Sequence, residues 1–381
     1  MPSALTYPGV YVEEVPSGVR TITGVATSIT AFIGRARRGP ANRAVRVQSF
    51  AEFSRLFGGL WQPSTMSYAV SHFFQHGGAD ALIVRVFNGD ITASTATITL
   101  PAGGGSLVLE AASPGLWGQA LRARVDHLTK DTSDALLFNL VIEELDRPGG
   151  NRVVGSESFR NVSVSPLSKR FVDTVINEQS ALVQVRTSAP QDTSPTDPAD
   201  PLNPNVVAVG SSSDDGSAIT DTEVIPTSSS AIANREGMYA LEAADLFNLL
   251  CIPPLEHDTD VANSTWATAA NYCQERRAML LIDSPSSWTT SPSTAIPTAE
   301  AGVNALRGTI GNDDARNAAM YFPRLRMPDP LSENRLAEFA PCGAVAGVIA
   351  RTDVQRGVWK APAGRDASFS GVQAFSYTMT D

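Results

Sequence analysis

The stretch STMSYAVSHFFQHGGADALIVRV (residues 64–86) reads as a helix, a turn and a strand, and that order sets the fold class. Met66, Ala69, Val70 and Phe73 recur at the spacing that lines one face of a helix. Gly77 and Gly78 stand where a helix C-cap favours residues free to turn left-handed. ALIVRV (81–86) is then a short, mostly apolar strand. Upstream, SFAEFSRLFGG (49–59) is a second helix ending on a glycine pair, which completes an α/β unit. A second set of the same kind starts after residue 236. LFNLLCI (246–252) is apolar enough to be buried on both faces, as parallel strands are. A helix carrying Trp266, Ala270, Cys273 and Arg277 follows, then the strand AMLLID (278–283), a helix near 299–306 and the strand-like NAAMYFPRLRMPDP (317–330), stopped by its prolines. Strands alternating with helices predict an α/β fold: a mostly parallel sheet covered by helices, formed by two sequence-separated halves, 25–89 and 233–381.

Residues 90–188, between those halves, are rich in Thr, Val, Ser and Gly. ASTATITL (93–100), GSLVLEAA (105–112), LRARVDHL (121–128), LLFNLVIEEL (136–145) and ALVQVRT (181–187) are short alternating strands without helical stretches, which predicts an inserted, mostly β domain. PAGGGS (101–106) is a hairpin turn. Residues 189–232 shift to Pro, Asp, Ser and Thr, too polar to bury a core, and are expected to form a surface loop or linker.

The 381 residues can bury more than one core, and 43% hydrophobic content is that of a globular chain. No run approaches the roughly 20 apolar residues of a membrane span, and MPSALTYPG (1–9) lacks the basic and apolar regions of a signal peptide. The expectation is synthesis in a cytoplasm without export by the general route and without membrane insertion. Net charge is -10, and GRARRGP (34–40) is the only basic cluster, which argues against nucleic-acid binding. Cys251, Cys273 and Cys342 lie far apart in apolar runs and are expected as buried free thiols.

The chain contains neither a G-x-x-x-x-G-K-[ST] phosphate loop nor a G-x-G-x-x-G between a strand and a helix, so no cofactor is expected. His72 and His76 are four apart on a helix but have no acidic neighbour, and a partly exposed helix face explains them better than a metal. There is no G-x-S-x-G elbow, and neither His127 nor His257 has a nucleophile placed by sequence. Asp313 and Asp314 are paired carboxylates that a helix N-cap accounts for. No catalytic, cofactor-binding or metal residue is assigned, and an enzyme is not expected.

At the front, YPGVYVEEVPSG (7–18) is fenced by Pro8 and Pro16. Val10 and Val12 fall on one face, Tyr11 and Glu13 on the other, the period of a strand with one buried side. At about 3.3 Å per residue the seven residues between the prolines span about 23 Å, too short to be stable alone. Its host is either a strand of its own domain or the sheet of another subunit.

Taken together, several segments give the chain a resemblance to the contractile tail sheath proteins of phages and of phage-tail-like injection systems. They are YPGVYVEEVPSG with ITGVATSITAFIGRARRGP (22–40), FAEFSRLFGG (50–59) with SYAVSHFFQHGGADALIVRV (67–86), SPGLWGQALRARV (113–125), GMYALEAADLFNLLCIPP (237–254), CQERRAMLLID (273–283), YFPRLRMPDP (321–330) and GAVAGVIARTDVQRGVWKAPAG (343–364). The resemblance implies a structural subunit that polymerises helically around an inner tube and drives it through a target envelope by contracting, without nucleotide consumption. The implied partners are other copies of itself, the inner tube protein, and baseplate and terminal cap proteins. It also implies that residues 1–24 are an extended arm whose strand, Val10, Tyr11, Val12, Glu13, Glu14 and Val15, joins a neighbour's sheet, with Gly9, Gly18 and Gly24 as hinges. Assembly would take place in a bacterial cytoplasm, as part of a phage tail or of an intracellular or released tail-like particle. In this family the segment after a VWKAPAG-like motif continues into a C-terminal arm, whereas here the sequence stops at Asp381, so a truncated or short form is expected. The alternative is a paralogue that caps or starts the sheath at the baseplate or terminal end, and an α/β hydrolase ranks third.

Overall fold

The computed structural model describes residues 27–196 and 208–379. The strand expected at residues 10–15 and the hinges Gly9, Gly18 and Gly24 lie outside the described residues.

The first half opens with β1 (Thr30–Gly34), buried along its whole length, and β2 (Ala44–Val47). Helix α1 (Phe50–Phe57) is capped by Ser49, whose hydroxyl accepts the Glu52 N–H, and ends on Gly58 in the left-handed region. Helix α2 (Thr65–Gln75) is capped in the same way by Ser64 and is followed by Gly77 at φ +102°, leading into the fully buried β3 (Ala81–Arg85). Met66, Ala69, Val70 and Phe73 are all buried, as their spacing predicts. His72 and His76 are buried too, which corrects the expectation of a partly exposed face: Phe339 packs on one ring and Phe369 on the other.

The chain then leaves the sheet. Strands β4 (Thr97–Ala102), β5 (Gly105–Ala111), β6 (Leu121–Asp126), β7 (Leu137–Leu145) and β8 (Val153–Ser163) are followed by helix α3 (Val172–Gln179), β9 (Val183–Thr187) and the short β10 (Ala208–Val209). They form two antiparallel sheets, β10-β6-β7-β8 and β4-β5-β9, with a core of their own around Leu100, Leu109, Trp117, Phe138, Leu140 and Ile142. Buried and open positions alternate along β4 and β6 because one face packs inward. Helix α3 departs from the all-strand expectation: Val172, Val175 and Ile176 fall at helical spacing and close that core from one side.

Within the polar stretch 189–232, the residues from 219 on hold more regular structure than composition predicts. Helices α4 (Asp221–Val224) and α5 (Ser229–Ala233) lie within or just past it, and Ile219, Val224 and Ile225 are buried in the main core. Those three residues supply the apolar surface that the surrounding Asp, Ser and Thr lack, and Thr220 with Glu223 forms a reciprocal capping box.

The second half adds β11 (Leu249–Cys251), α6 (Asn263–Arg276), β12 (Met279–Asp283), α7 (Ala295–Ile310), β13 (Ala318–Tyr321), β14 (Leu325–Asp329), β15 (Arg335–Phe339), α8 (Cys342–Arg356) and β16 (Ala374–Phe375). The run 317–330 is two strands in two sheets, divided around Pro323, which has no N–H to give a ladder. Asp313 and Asp314 open a short 3-10 turn, with no cap bond from the Asp313 side chain.

The main sheet runs β13-β12-β11-β1-β3-β2, parallel except for β2, and the two halves are joined where Thr30 pairs with Leu249 and Phe32 with Cys251. Successive residues face opposite layers. Ala31, Ile33, Leu250 and Leu280 pack under α6 and α7; Phe32, Ile83, Cys251 and Leu281 pack under α1, α2 and α8. Helices α2 and α8 touch backbone to backbone: a Cβ on Gly343 would lie 2.0 Å from the Ala69 carbonyl oxygen, and one on Gly347 would lie 2.5 Å from that of Phe73. A smaller sheet, β15-β14-β16, packs Leu325, Met327 and Phe339 against Tyr68.

Candidate assembly surfaces

In an open parallel sheet the carboxyl ends of the strands are the customary place for a ligand. Here they are filled by the protein's own side chains. Asp283, at the end of β12, accepts the Cys342 N–H at 2.8 Å and so caps α8 from another element. Arg324 donates to the Ser284 carbonyl at 2.8 Å and pairs with Asp260, which also accepts the Ser286 N–H at 3.0 Å. The Tyr68 hydroxyl donates to Asp329 at 3.0 Å. The cavity left among Tyr68, His72, His257 and Arg324 measures about 20 Å³, room for one water molecule.

The protonation states fit a structural network. Burial raises the Asp283 carboxyl to about 6, opposed by its bonds to Cys342 and by Arg324. Burial, with His76 adding to it, pushes His72 down to about 4. His76 is lowered chiefly by burial and is held neutral: its Nδ1 meets the His72 carbonyl at 2.7 Å, while its Nε2 accepts the Ser370 N–H at 3.0 Å. The three cysteines are free and buried, and desolvation raises each thiol. His127 does meet a hydroxyl, Ser194 Oγ at 3.1 Å, but Ser194 donates to the Ala135 carbonyl at 2.8 Å, so its proton is not held by the imidazole. Among the described residues no group of three or more His, Cys, Asp or Glu is gathered to hold a metal ion, and no helix is long and apolar enough to cross a membrane.

The GRARRGP cluster is engaged inside the molecule. Arg35 pairs with Glu256 at 3.0 Å and donates to the carbonyls of Asp215 and Gly216. Arg38 pairs with Glu144 on β7 at 2.7 Å. Beside them Arg85, 1% exposed, donates to the carbonyls of Ala36, Gly39 and Pro114 at 2.9, 2.6 and 2.9 Å. Burial lowers its guanidinium to about 10, still charged at neutral pH. These arginines join the parallel sheet to the antiparallel region. Composition alone shows a cluster but not its partners; the one visible signal is a lone arginine inside the strand ALIVRV.

What remains open to a partner lies at edges. Among the described residues β2 is one edge of the six-stranded sheet and strand β13 is the other. Beside it, an apolar groove of about 850 Å³ runs between α7 and β13, walled by Ile282, Trp288, Ile296, Val303, Ile310 and Met320. No sequence pattern marks this groove, because its walls come together only when α7 lies along the sheet edge. Exposed apolar side chains gather elsewhere, at the end of α8: Val354, Val358 and Trp359 are 78%, 59% and 85% exposed.

A parallel-containing main sheet with helices on both faces, accompanied by separate antiparallel sheets, resembles the fold of a solved sheath tail protein. The chain aligns with the crystal structure of the sheath tail protein from Listeria innocua at a TM-score of 0.50 and 11% identity, over 87% of this chain and 58% of that one. The sheath tail protein from Desulfitobacterium hafniense aligns at 0.46 and 12% identity, over 90% and 62%. The helical sheath of the anti-feeding prophage in its contracted state aligns at 0.42 and 16% identity, over 99% and 61%. This chain therefore spans about three fifths of the length of each. No family model and no curated protein matches the sequence.

Proposed function

We propose that this chain is a structural subunit of a contractile tail sheath, polymerising helically around an inner tube and driving it through a target envelope when the lattice contracts. The observation that carries this reading is the fold shared with the Listeria innocua sheath tail protein. The self-filled carboxyl ends of the parallel sheet support a structural role over a catalytic one. A head-to-tail contact that does not close on itself builds a helical filament, and a lattice assembled in a metastable form can release its energy without nucleotide.

In this reading residues 1–24 are the arm, 25–89 and 233–381 the core, 90–188 an added module on the outer surface, and 189–232 the connection returning to the core. The separate core of the antiparallel sheets supports the module's independence. The subunit's partners are other copies of itself, the inner tube protein, and baseplate and terminal cap proteins, in a particle assembled in a bacterial cytoplasm. Val10, Tyr11, Val12, Glu13, Glu14 and Val15 add a strand to a neighbour's sheet, with Gly9, Gly18 and Gly24 as hinges.

The test is Val12→Pro, which removes a ladder donor in mid-strand. Electron microscopy of the purified chain is expected to show tubes for the wild type and none for the variant, while the monomer's melting temperature barely moves. Normal tubes from the variant reject the donated strand. A sharply lowered monomer melting temperature returns the strand to its own domain, and a wild type that forms no tubes, even with its inner tube protein present, rejects the sheath reading.

A further inference from the structure

We infer that consecutive copies of this chain meet through a knob and a groove: the Val358–Trp359 tip beyond α8 of one copy enters the apolar groove between α7 and β13 of the next. The sheath reading enters only in naming the partner as a second copy.

The knob is built and held. Helix α8 ends at Gly357, φ +87°, and the Lys360 N–H closes a turn onto the Gly357 carbonyl at 3.0 Å. The Trp359 ring leans on Gly357 so closely that a Cβ there would lie 2.4 Å from it, and the Lys360 ammonium donates to the Ala361 carbonyl at 3.0 Å. The indole rests on its own turn while remaining 85% exposed. A tryptophan offers about 150–250 Å² of contact area, and tryptophans are among the usual anchors of protein interfaces.

The groove is its counterpart. The Trp288 ring lies against Gly302, where a Cβ would come within 2.0 Å, and this opens the space that Ile296, Val303 and Met320 line. At about 850 Å³ the groove has room for an indole with its neighbouring valine. Charge agrees: Glu300 lines the groove and Lys360 flanks the knob, and neither has an ion-pair partner among the described residues.

The two surfaces cannot meet within one copy. Helix α7 packs on one face of the main sheet through Leu306 and Ile310, and α8 packs on the other through Val345, Ala346 and Ala350. Knob and groove are therefore different patches separated by the sheet, and their contact is heterologous, the kind that propagates into a filament.

Two exposed substitutions test it. Trp359→Ala removes the knob and Ile296→Glu, at a position 38% exposed, charges the groove. Each alone is expected to abolish tubes and to weaken wild-type self-association at least tenfold in sedimentation, with unchanged monomer melting. Mixed in equal amounts, each variant supplies the surface the other lacks, so a two-chain complex returns that does not grow. Normal tubes from either variant overturn the contact and leave the sheath reading standing. Sedimentation reads the contact even where tubes fail to form. If residues 1–26 of the same chain fill the groove instead, Ile296→Glu lowers the monomer melting temperature and the mixture stays unassociated, which also overturns it.

Discussion

In the main sheet Thr30 sits beside Leu249, so neighbouring strands come from opposite ends of the chain; in the antiparallel region Ala102 sits beside Gly105 and Leu121 beside Glu144. The first arrangement cannot form until both halves are present, because β1 has no second neighbour without β11. The second contains the hairpins β4-β5, β6-β7 and β7-β8, whose partners are near in sequence, and is completed by β9 and β10, which return from farther along the chain to pair Val183 with Ala111 and Ala208 with Ala123; its core is complete without the main sheet. The main sheet's strands are apolar on both faces and the antiparallel strands on one. A molecule built this way joins a unit rich in local hairpins to one spliced from two distant halves, and the join itself is mostly polar: Arg38 with Glu144, Arg85 with Pro114, and the Gly39 N–H donating to Ser113 at 2.9 Å.

Breaking the join is expected to have the largest effect. Arg85→Met removes the donor to three buried carbonyls, each worth about 1–3 kcal/mol when orphaned, partly offset by no longer burying a charge. The net loss is expected at about 3 kcal/mol, carried by the main sheet. Calorimetry should then show two transitions, the later one belonging to the antiparallel region. A single transition at the wild-type temperature would show that Arg85 does not couple the two units.

Asp283→Asn sharpens the comparison within the main sheet, and its sign depends on pH. Burial raises the folded carboxyl to about 6, above its ordinary value of 3.8, so folding disfavours the ionised form. The resulting cost is absent below about pH 4, grows as pH rises towards 6, and is full above that. Asparagine can still accept the Cys342 N–H and carries no charge. The variant is expected to be more stable than wild type by about 3 kcal/mol well above pH 6, with the gain disappearing below pH 4 in melts run across that range. A destabilised variant at pH 8 would mean that the carboxylate's charge is needed at the end of α8.

The two regions were also legible in the sequence to different degrees. Helix α2 and strand β3 show their period in side-chain type alone, and β11 shows a continuous apolar run. The strands of the antiparallel region alternate clearly, but α3 does not stand out: eight residues, five of them polar, between two strands. Ile219, Val224 and Ile225 were hidden by the Ser, Asp and Thr around them, since composition averages over a window while burial selects single residues. Arg85 and Asp283 are visible as charges inside or at the end of apolar strands. Their partners are mostly main-chain groups from other elements, which only the tertiary fold brings close. The groove beside β13 has no local signature at all, because α7, β13 and Trp288 each contribute one wall.

The smallest effect is expected where the two halves of the main sheet meet. Cys251 pairs with Phe32 across that splice, and its thiol lies 3.8 Å from the Cys342 carbonyl, touching α8. It is fully buried in the layer under α2 and α8, and desolvation raises its pKa, so it is a thiol at neutral pH and acts as a small apolar filler. Cys251→Ala deletes one buried sulfur and leaves a cavity of about that size, since a strand gripped on both sides cannot collapse around it. The expected loss is about 1–2 kcal/mol in denaturant melts, with tube formation and contraction unchanged in microscopy. Cys273 sits on α6 in the opposite layer, so the Cys251→Ala and Cys273→Ala losses should add within about 0.5 kcal/mol. A larger departure from additivity would mean that the two faces of the sheet repack together, while tubes that form normally but fail to contract in Cys251→Ala would give the thiol a part in the motion that its packing does not suggest.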